Sequence, residues 1–293
     1  PQPSLLRKFL RWSLIAAAAL FVAFAALLVA RPEALLFHPT PIVSRTPDEI
    51  GWAYEPVTLT TEDGEQLGAW YLAADPSGAL ADRNAVVLYC HGNAGNIGGR
   101  MPALSGLRPL GMSVLIFDYR GYGDSTGRPT VAGTRLDIAA AWEHLLTRGF
   151  APDHIVLWGR SLGGAIAIDQ AARASEAGTP PGALVVESTF TSTLDIGEEV
   201  YPWLPVRWLG AKLDYPSRER IAVVAAPVLV AHSPDDDLIP SSHGDALRAA
   251  AESGAATRVA FETLDGGHNG GHLTQESHRE QVVAFLRDAL PTL

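Results

Sequence analysis

From residue 55 onward the chain alternates short apolar runs with longer stretches of helical periodicity. The apolar runs occupy 57–60, 67–72, Ala85–Cys90, Ser113–Asp118, His154–Gly159, Ala183–Glu187, Pro227–His232 and Arg258–Thr263. Helical patterns fall near 97–108, 132–148, 162–176, 241–252 and 274–290. Strands that are apolar throughout bury both of their side-chain rows, so this rhythm predicts a parallel sheet covered by helices on both faces. The first two runs flank Glu62-Asp63-Gly64-Glu65, whose Asp-Gly predicts a hairpin at an antiparallel edge. The class is α/β, a doubly wound domain over 55–293.

Two segments break the rhythm. Residues 188–226 separate two strands by roughly forty positions, a length that is usually functional or carries structure of its own. They predict a small cap over the carboxyl ends of the strands, where open α/β sheets place their sites. Tyr201, Trp203 and Trp208 are the candidate substrate-binding residues within it. The other segment is Trp12–Ala30, 19 residues with Ser13 as the only polar member. As a helix it would span roughly 28 Å, enough for the hydrocarbon core of a bilayer. Arg7, Lys8 and Arg11 precede it, which predicts a cytoplasmic flank and an α/β domain on the extracytoplasmic side. The one good Ala-x-Ala site, at residues 23–25, lies inside the apolar run, so a retained anchor is favoured over a cleaved signal peptide, and the lack of a polar face disfavours a buried core helix. The expected plan is flank and transmembrane anchor over 1–31, linker over 32–54, then the α/β domain.

Composition narrows the chemistry. With 47% hydrophobic residues among 293, the chain can bury a large core. Its net charge of −10, with no basic run beyond the first dozen residues, argues against nucleic acid as a partner. The single cysteine, Cys90, excludes an internal disulfide and a thiolate zinc site, and it ends an apolar strand as a small buried hydrophobe. Gly121-Tyr122-Gly123-Asp124-Ser125-Thr126-Gly127 has its third glycine out of register for a dinucleotide loop. The sequence calls for no metal and no organic cofactor.

Gly159-Arg160-Ser161-Leu162-Gly163 follows a predicted strand and opens a predicted helix, the setting a nucleophile elbow requires. A serine hydroxyl needs a base, and the base an orienting carboxylate; with this elbow they follow in the order Ser, acid, His. His268 lies in a glycine loop before the last helix and is the candidate base. Asp236, the middle of Asp235-Asp236-Asp237, is the candidate acid, its neighbours being read as solvated loop carboxylates. Glu187 also satisfies the order, and its alternative reading is a tether for the cap. The oxyanion of a tetrahedral intermediate needs two amide donors, expected from Asn93 and Leu162. His272 suggests His-x-x-x-His metal ligation, but Asn269-Gly270-Gly271 disfavours the helix this needs. Among the remaining histidines, His91 and His232 read as hydrogen-bonded strand ends, His38 and His278 as surface.

His91–Asn96, Phe117–Gly123, Gly159–Gly164, His232–Pro240 and Gly266–Asn269 together resemble the membrane-tethered α/β-hydrolases of the bud-emergence type, relatives of protein depalmitoylases. The resemblance covers about residues 35–290. It implies a Ser161–Asp236–His268 triad, esterase or thioesterase activity on acyl substrates, a small cap and an N-terminal membrane anchor. Two other readings remain: a peptidase or amidase with the same triad, and a non-catalytic membrane scaffold. The intact Ser, Asp and His argue against the scaffold.

Overall fold

The computed structural model describes residues 5–30, 32–203, 206–209 and 213–292. Helix α1 (Leu5–Ala30) comes first, then a short strand β1 (His38–Pro39). The hairpin is β2 (Glu55–Thr60) and β3 (Gln66–Leu72). Next come β4 (Val86–Cys90), β5 (Ala94–Gly95), α2 (Met101–Leu107), β6 (Ser113–Phe117) and α3 (Val131–Thr147). The second half holds β7 (Ile155–Arg160), α4 (Leu162–Glu176), β8 (Ala183–Glu187), α5 (Thr193–Val200), α6 (Val206–Leu209) and α7 (Ser217–Ile221). It closes with β9 (Pro227–His232), α8 (Ser241–Glu252), β10 (Arg258–Thr263) and α9 (Arg279–Ala289).

Eight strands form one sheet in the order β10-β9-β8-β7-β4-β6-β3-β2, and β3 alone runs against its neighbours. The continuous apolar runs are explained by alternation across this sheet. In β4, Val86, Leu88 and Cys90 enter the core on one face, while Val87 and Tyr89 enter the core on the other. Residues that looked like one hydrophobic stretch therefore serve two cores. The last helix begins later than its periodicity suggested, at Arg279. The chain before it is held by a main-chain bond from Leu273 N–H to the Glu187 carboxylate, 2.9 Å.

Two expectations change. The expected linker over 32–54 is built into the domain: β1 pairs in parallel with β5, Phe37 and Trp52 are buried, and Trp52 Nε1 donates to the Ala73 carbonyl at 3.1 Å. The cap is shorter than 188–226. Helix α7 packs against α4 and α8 with Ile221 buried, and Arg220 pairs with Glu176 at 2.7 Å, so α7 belongs to the main domain. Among the described residues, no helix is long and apolar enough to cross a membrane. The expected span at 12–30 falls within α1, and its side chains from 21 to 30 lie outside the described residues.

The loop after β6 is secured by a buried ion pair. Asp137 on α3 accepts from Arg120 Nε at 2.8 Å and from the Arg120 main-chain N–H at 2.9 Å. The guanidinium also forks onto Asp63 at 2.7 and 3.0 Å. Removing one partner of a buried pair leaves the other charge uncompensated. Asp137→Ala should therefore lower the unfolding free energy by about 3 kcal/mol, the low end of the usual range because Asp63 remains. Urea denaturation checks this, and a change under about 0.5 kcal/mol, the size of an ordinary surface substitution, would show the pair to be structurally idle.

Candidate active site

The site is built on a turn that has no room for side chains. Between β7 and α4, Ser161 takes φ 52° and ψ −122°, on the left-handed side that a non-glycine residue rarely occupies. A Cβ at Gly159 would stand 2.2 Å from the Gly163 carbonyl oxygen, and one at Gly163 would stand 2.0 Å from that of Cys90. These are the two glycines of the motif, and each is required by contact with main chain. The turn sets Ser161 at the first turn of α4, where the helix dipole favours developing negative charge.

The structure brings Ser161, His268 and Asp236 together. His268 Nε2 lies 3.1 Å from Ser161 Oγ, and His268 Nδ1 lies 2.8 Å from Asp236 Oδ2. Burial opposes the charge on Asp236, yet the His268 bond and the amides of Ile239 and Leu238, at 2.8 and 3.0 Å, outweigh it. The carboxyl pKa is held down at about 2. The carboxylate therefore stays ionised across the range in which imidazole titrates. It holds the proton on Nδ1, which leaves the Nε2 lone pair facing the serine.

The rival groups are accounted for elsewhere. Glu187 is fully buried, accepts from Trp158 Nε1 and from Leu273 N–H, and does not bond His268. It tethers the chain beyond the His268 loop rather than the cap. His272 is 3.9 Å from Glu187 Oε2, and burial, with Arg160 and His268 nearby, lowers its pKa to about 4. His91 and His232 are strand ends as expected, bonding the carbonyls of Gly92 and Ile239 at 2.7 and 2.8 Å. His278 is not a surface residue: it is buried and bonds Glu262 at 2.9 Å. Asp237 is more than a solvated neighbour of the acid, since its Oδ1 accepts from the His268 main-chain N–H at 2.8 Å.

The loop after β4 carries Asn93, and its braces come from the motif after β6. Tyr119 and Tyr122 donate their hydroxyls to the carbonyls of His91 and Asn93, at 2.8 and 2.6 Å. Asp118 accepts from Ile97 N–H at 2.9 Å and faces His91 Nε2 at 3.3 Å. From the other side, the β1 segment donates His38 N–H to the Asn93 carbonyl at 3.0 Å. The Asn93 side chain bonds the Leu36 carbonyl at 3.2 Å, so it fastens the loop. Among the described residues, neither the Asn93 nor the Leu162 main-chain N–H has an acceptor, and both residues line one cavity with Ser161. That is the disposition an oxyanion hole needs.

This cavity measures about 340 Å³ and is mostly apolar. Helix α5 presents Thr193, Ile196, Gly197 and Val200 to it, the i, i+3, i+4, i+7 face, and Tyr201 joins them. Trp203 and Trp208, expected to line the pocket, are 64% and 92% exposed and lie outside its lining. The α5 face ends at Tyr201, and Trp203 instead meets the Tyr201 ring edge-on from solvent. Sequence reasoning missed Leu35, Leu36 and His38, which complete the wall because β1 docks beside Asn93. Only the apolar Leu35-Leu36-Phe37 inside the supposed linker signalled this.

A model of the α/β hydrolase fold family matches residues 85–205. The uncharacterized protein YfhR of Escherichia coli (strain K12) is 32% identical over 275 residues, covering 92% of each chain. An uncharacterized protein of Mycobacterium tuberculosis is 44% identical over 197 residues, 67% of this chain and 66% of that protein. The lysophosphatidylserine lipase ABHD12 of Danio rerio is 32% identical over 218 residues, and the match spans 56% of the lipase. An esterase of Pyrococcus furiosus superimposes with a TM-score of 0.68 over 87% of this chain and 98% of its own, at 22% identity, a likeness of fold alone. With the relation to YfhR running nearly end to end, the chain belongs to the α/β-hydrolase family.

Proposed function

We propose that this protein is a serine hydrolase that cleaves carboxylic ester or thioester bonds of single-chain acyl substrates. One observation carries the reading: a hydroxyl, an imidazole and a carboxylate in hydrogen-bonded series, at 3.1 and 2.8 Å, open into an apolar cavity. In the proposed reaction Ser161 Oγ attacks the acyl carbon while its proton passes to His268 Nε2. The Asn93 and Leu162 amides hold the oxyanion. As the tetrahedral species collapses, the bond to the leaving oxygen or sulfur breaks, and His268 returns the proton to that atom. Water, deprotonated by His268, then attacks the acyl-enzyme and releases the acid, restoring the Ser161 hydroxyl. Asp236 fixes the imidazole throughout.

The apolar wall favours an acyl chain over a peptide. A cavity of about 150 Å³ takes a benzene ring, so about 340 Å³ takes roughly a dozen carbon atoms or slightly more. The membrane also enters this proposal. The described apolar side chains of α1, including Phe9, Trp12, Leu14 and Leu20, are exposed. Exposed apolar side chains call for a covering phase, and we propose the 19-residue apolar run 12–30 of the sequence, whose side chains from 21 to 30 lie outside the described residues, as an anchor that supplies it. The proposed orientation keeps Arg7, Lys8 and Arg11 in the cytoplasm and the catalytic domain outside it.

Ser161→Ala should abolish labelling by a fluorophosphonate probe and reduce kcat by roughly 10⁴-fold or more at unchanged Tm. Asp236→Asn should approach the same loss, because an amide can present N–H to the imidazole and favour the wrong tautomer. Retention of a tenth of wild-type activity by the serine variant would sink the assignment.

Across p-nitrophenyl esters from acetate to octanoate, kcat/KM should rise by up to roughly fourfold per methylene, each worth about 0.8 kcal/mol when buried. Ile196→Trp, which fills the cavity, should flatten that slope, whereas Trp203→Ala should leave it intact. A flat wild-type profile would remove the acyl chain from the proposal.

Membrane fractions washed with alkaline carbonate should retain the full chain, and a chain starting at residue 32 should be released. Release of both would refute the anchor.

A further inference from the structure

His268 stands in Gly266-Gly267-His268-Asn269-Gly270-Gly271, four glycines in six residues. Such a segment has more backbone freedom to lose than almost any other. The two imidazole bonds fix the ring between Asp236 and Ser161, but they do not fix the peptide that carries it. That peptide is held at both ends by side chains. Asp237 Oδ1 accepts the His268 N–H at 2.8 Å, and Arg160 Nη2 donates to the His268 carbonyl.

Neither side chain has another hydrogen-bond partner among the described residues. Arg160 is 7% exposed, and its burial is costly for a guanidinium with so few bonds. Its charge also acts on buried Glu187, partly offsetting the upward push of burial on that carboxyl, so the bond to the His268 carbonyl is one of two roles. Arg160 is the last residue of β7, immediately before the nucleophile, and it lies in register with buried Glu187 on β8. Asp237 sits beside the triad acid, with Gly267 so near that a Cβ there would stand 2.8 Å from Asp237 Oδ1. The strand that positions Ser161 and the loop that positions Asp236 each send one further side chain to the His268 backbone.

We infer that Asp237 and Arg160 form a main-chain clamp that sets the His268 imidazole at hydrogen-bonding distance from Ser161, making both of them positioning residues for the proposed hydrolysis. The inference rests on that proposed reaction. It assigns the variable position of the elbow motif and explains why a second aspartate follows the acid.

The test compares Asp237→Ala, Asp237→Asn and Arg160→Met in the full chain, with p-nitrophenyl butyrate as substrate and the fluorophosphonate labelling rate as a second readout. Asp237 is exposed, so its replacement leaves the fold intact. A base displaced by about 1 Å costs on the order of 100-fold, so Asp237→Ala should lower kcat and labelling rate by roughly 10- to 100-fold, with KM within about twofold. Asp237→Asn keeps an acceptor oxygen and should recover kcat to within about threefold of wild type, on the same scale. Arg160→Met should match Asp237→Ala once Tm shows it folded. Wild-type labelling combined with an unimpaired Asp237→Ala would overturn the clamp while leaving the hydrolase reading intact. Asn behaving like Ala would also overturn it, because the charge and not the hydrogen bond would then matter. Failure of the wild type to label Ser161 would defeat the hydrolase reading itself.

Discussion

The approach of the first turn of α4 to the carboxyl end of β4 is the constraint on which the rest of the site depends. With 2.0 Å between a would-be Gly163 Cβ and the Cys90 carbonyl oxygen, the helix cannot sit there with any other residue. The close approach drives Ser161 to positive φ and aims its hydroxyl above the sheet. It also brings the Leu162 amide beside the loop that leaves β4, so the proposed nucleophile and the proposed oxyanion donors come from one packing contact. The Thr189 hydroxyl reinforces the turn by donating to the Ser161 carbonyl at 2.7 Å.

Around this turn, polar groups are used chiefly to hold main chain. Tyr119, Tyr122, Asn93, Asn96, Asp237, Arg160 and Glu187 each bond a backbone N–H or carbonyl of a loop at the site. A buried side chain that satisfies a loop carbonyl or amide both removes an unpaired polar group and reduces the loop's freedom. Catalytic geometry tolerates little play, so rigid loops are a requirement of the proposed reaction. The tyrosines and Asp118 of the motif after β6 have no visible part in the chemistry. They keep the Asn93 loop in place.

The cavity is a joint product of distant segments. The cap supplies one wall through α5 together with Phe190, Val206 and Leu213, the strand-end loops supply Asn93, Ser161, Leu162, Leu238 and Ile239, and Leu35, Leu36 and His38 add a third segment. The last of these are delivered by the parallel pairing of β1 with β5, which also braces Asn93. The chain that follows α1 therefore takes part in both the wall of the cavity and the oxyanion loop. In the proposed reading, this ties the acyl pocket directly to the membrane-side segment of the protein.

Much of this was legible in the residue order. Continuous apolar runs gave the parallel sheet because both faces are covered, and strand positions agreed to within a residue or so. The elbow, the Ser, acid, His order and the glycine loop of His268 carried the triad candidates, because those features are local requirements of backbone geometry. Partner choice was not local. Asp236 rather than Glu187 faces His268 because the β9 loop reaches over the sheet end, whereas Glu187 points beneath it to Trp158 and Leu273. The burial of His278, the docking of residues 32–54 and the outward turn of Trp203 and Trp208 depended likewise on which surfaces meet. Sequence by itself determined where the chain could form strands, turns and the tight strand-to-helix turn at Ser161, since short-range sterics and burial patterns decide these. Only the tertiary structure decided which aspartate holds the ring, which holds the peptide and which residues wall the cavity, because each of those contacts joins residues tens to hundreds of positions apart.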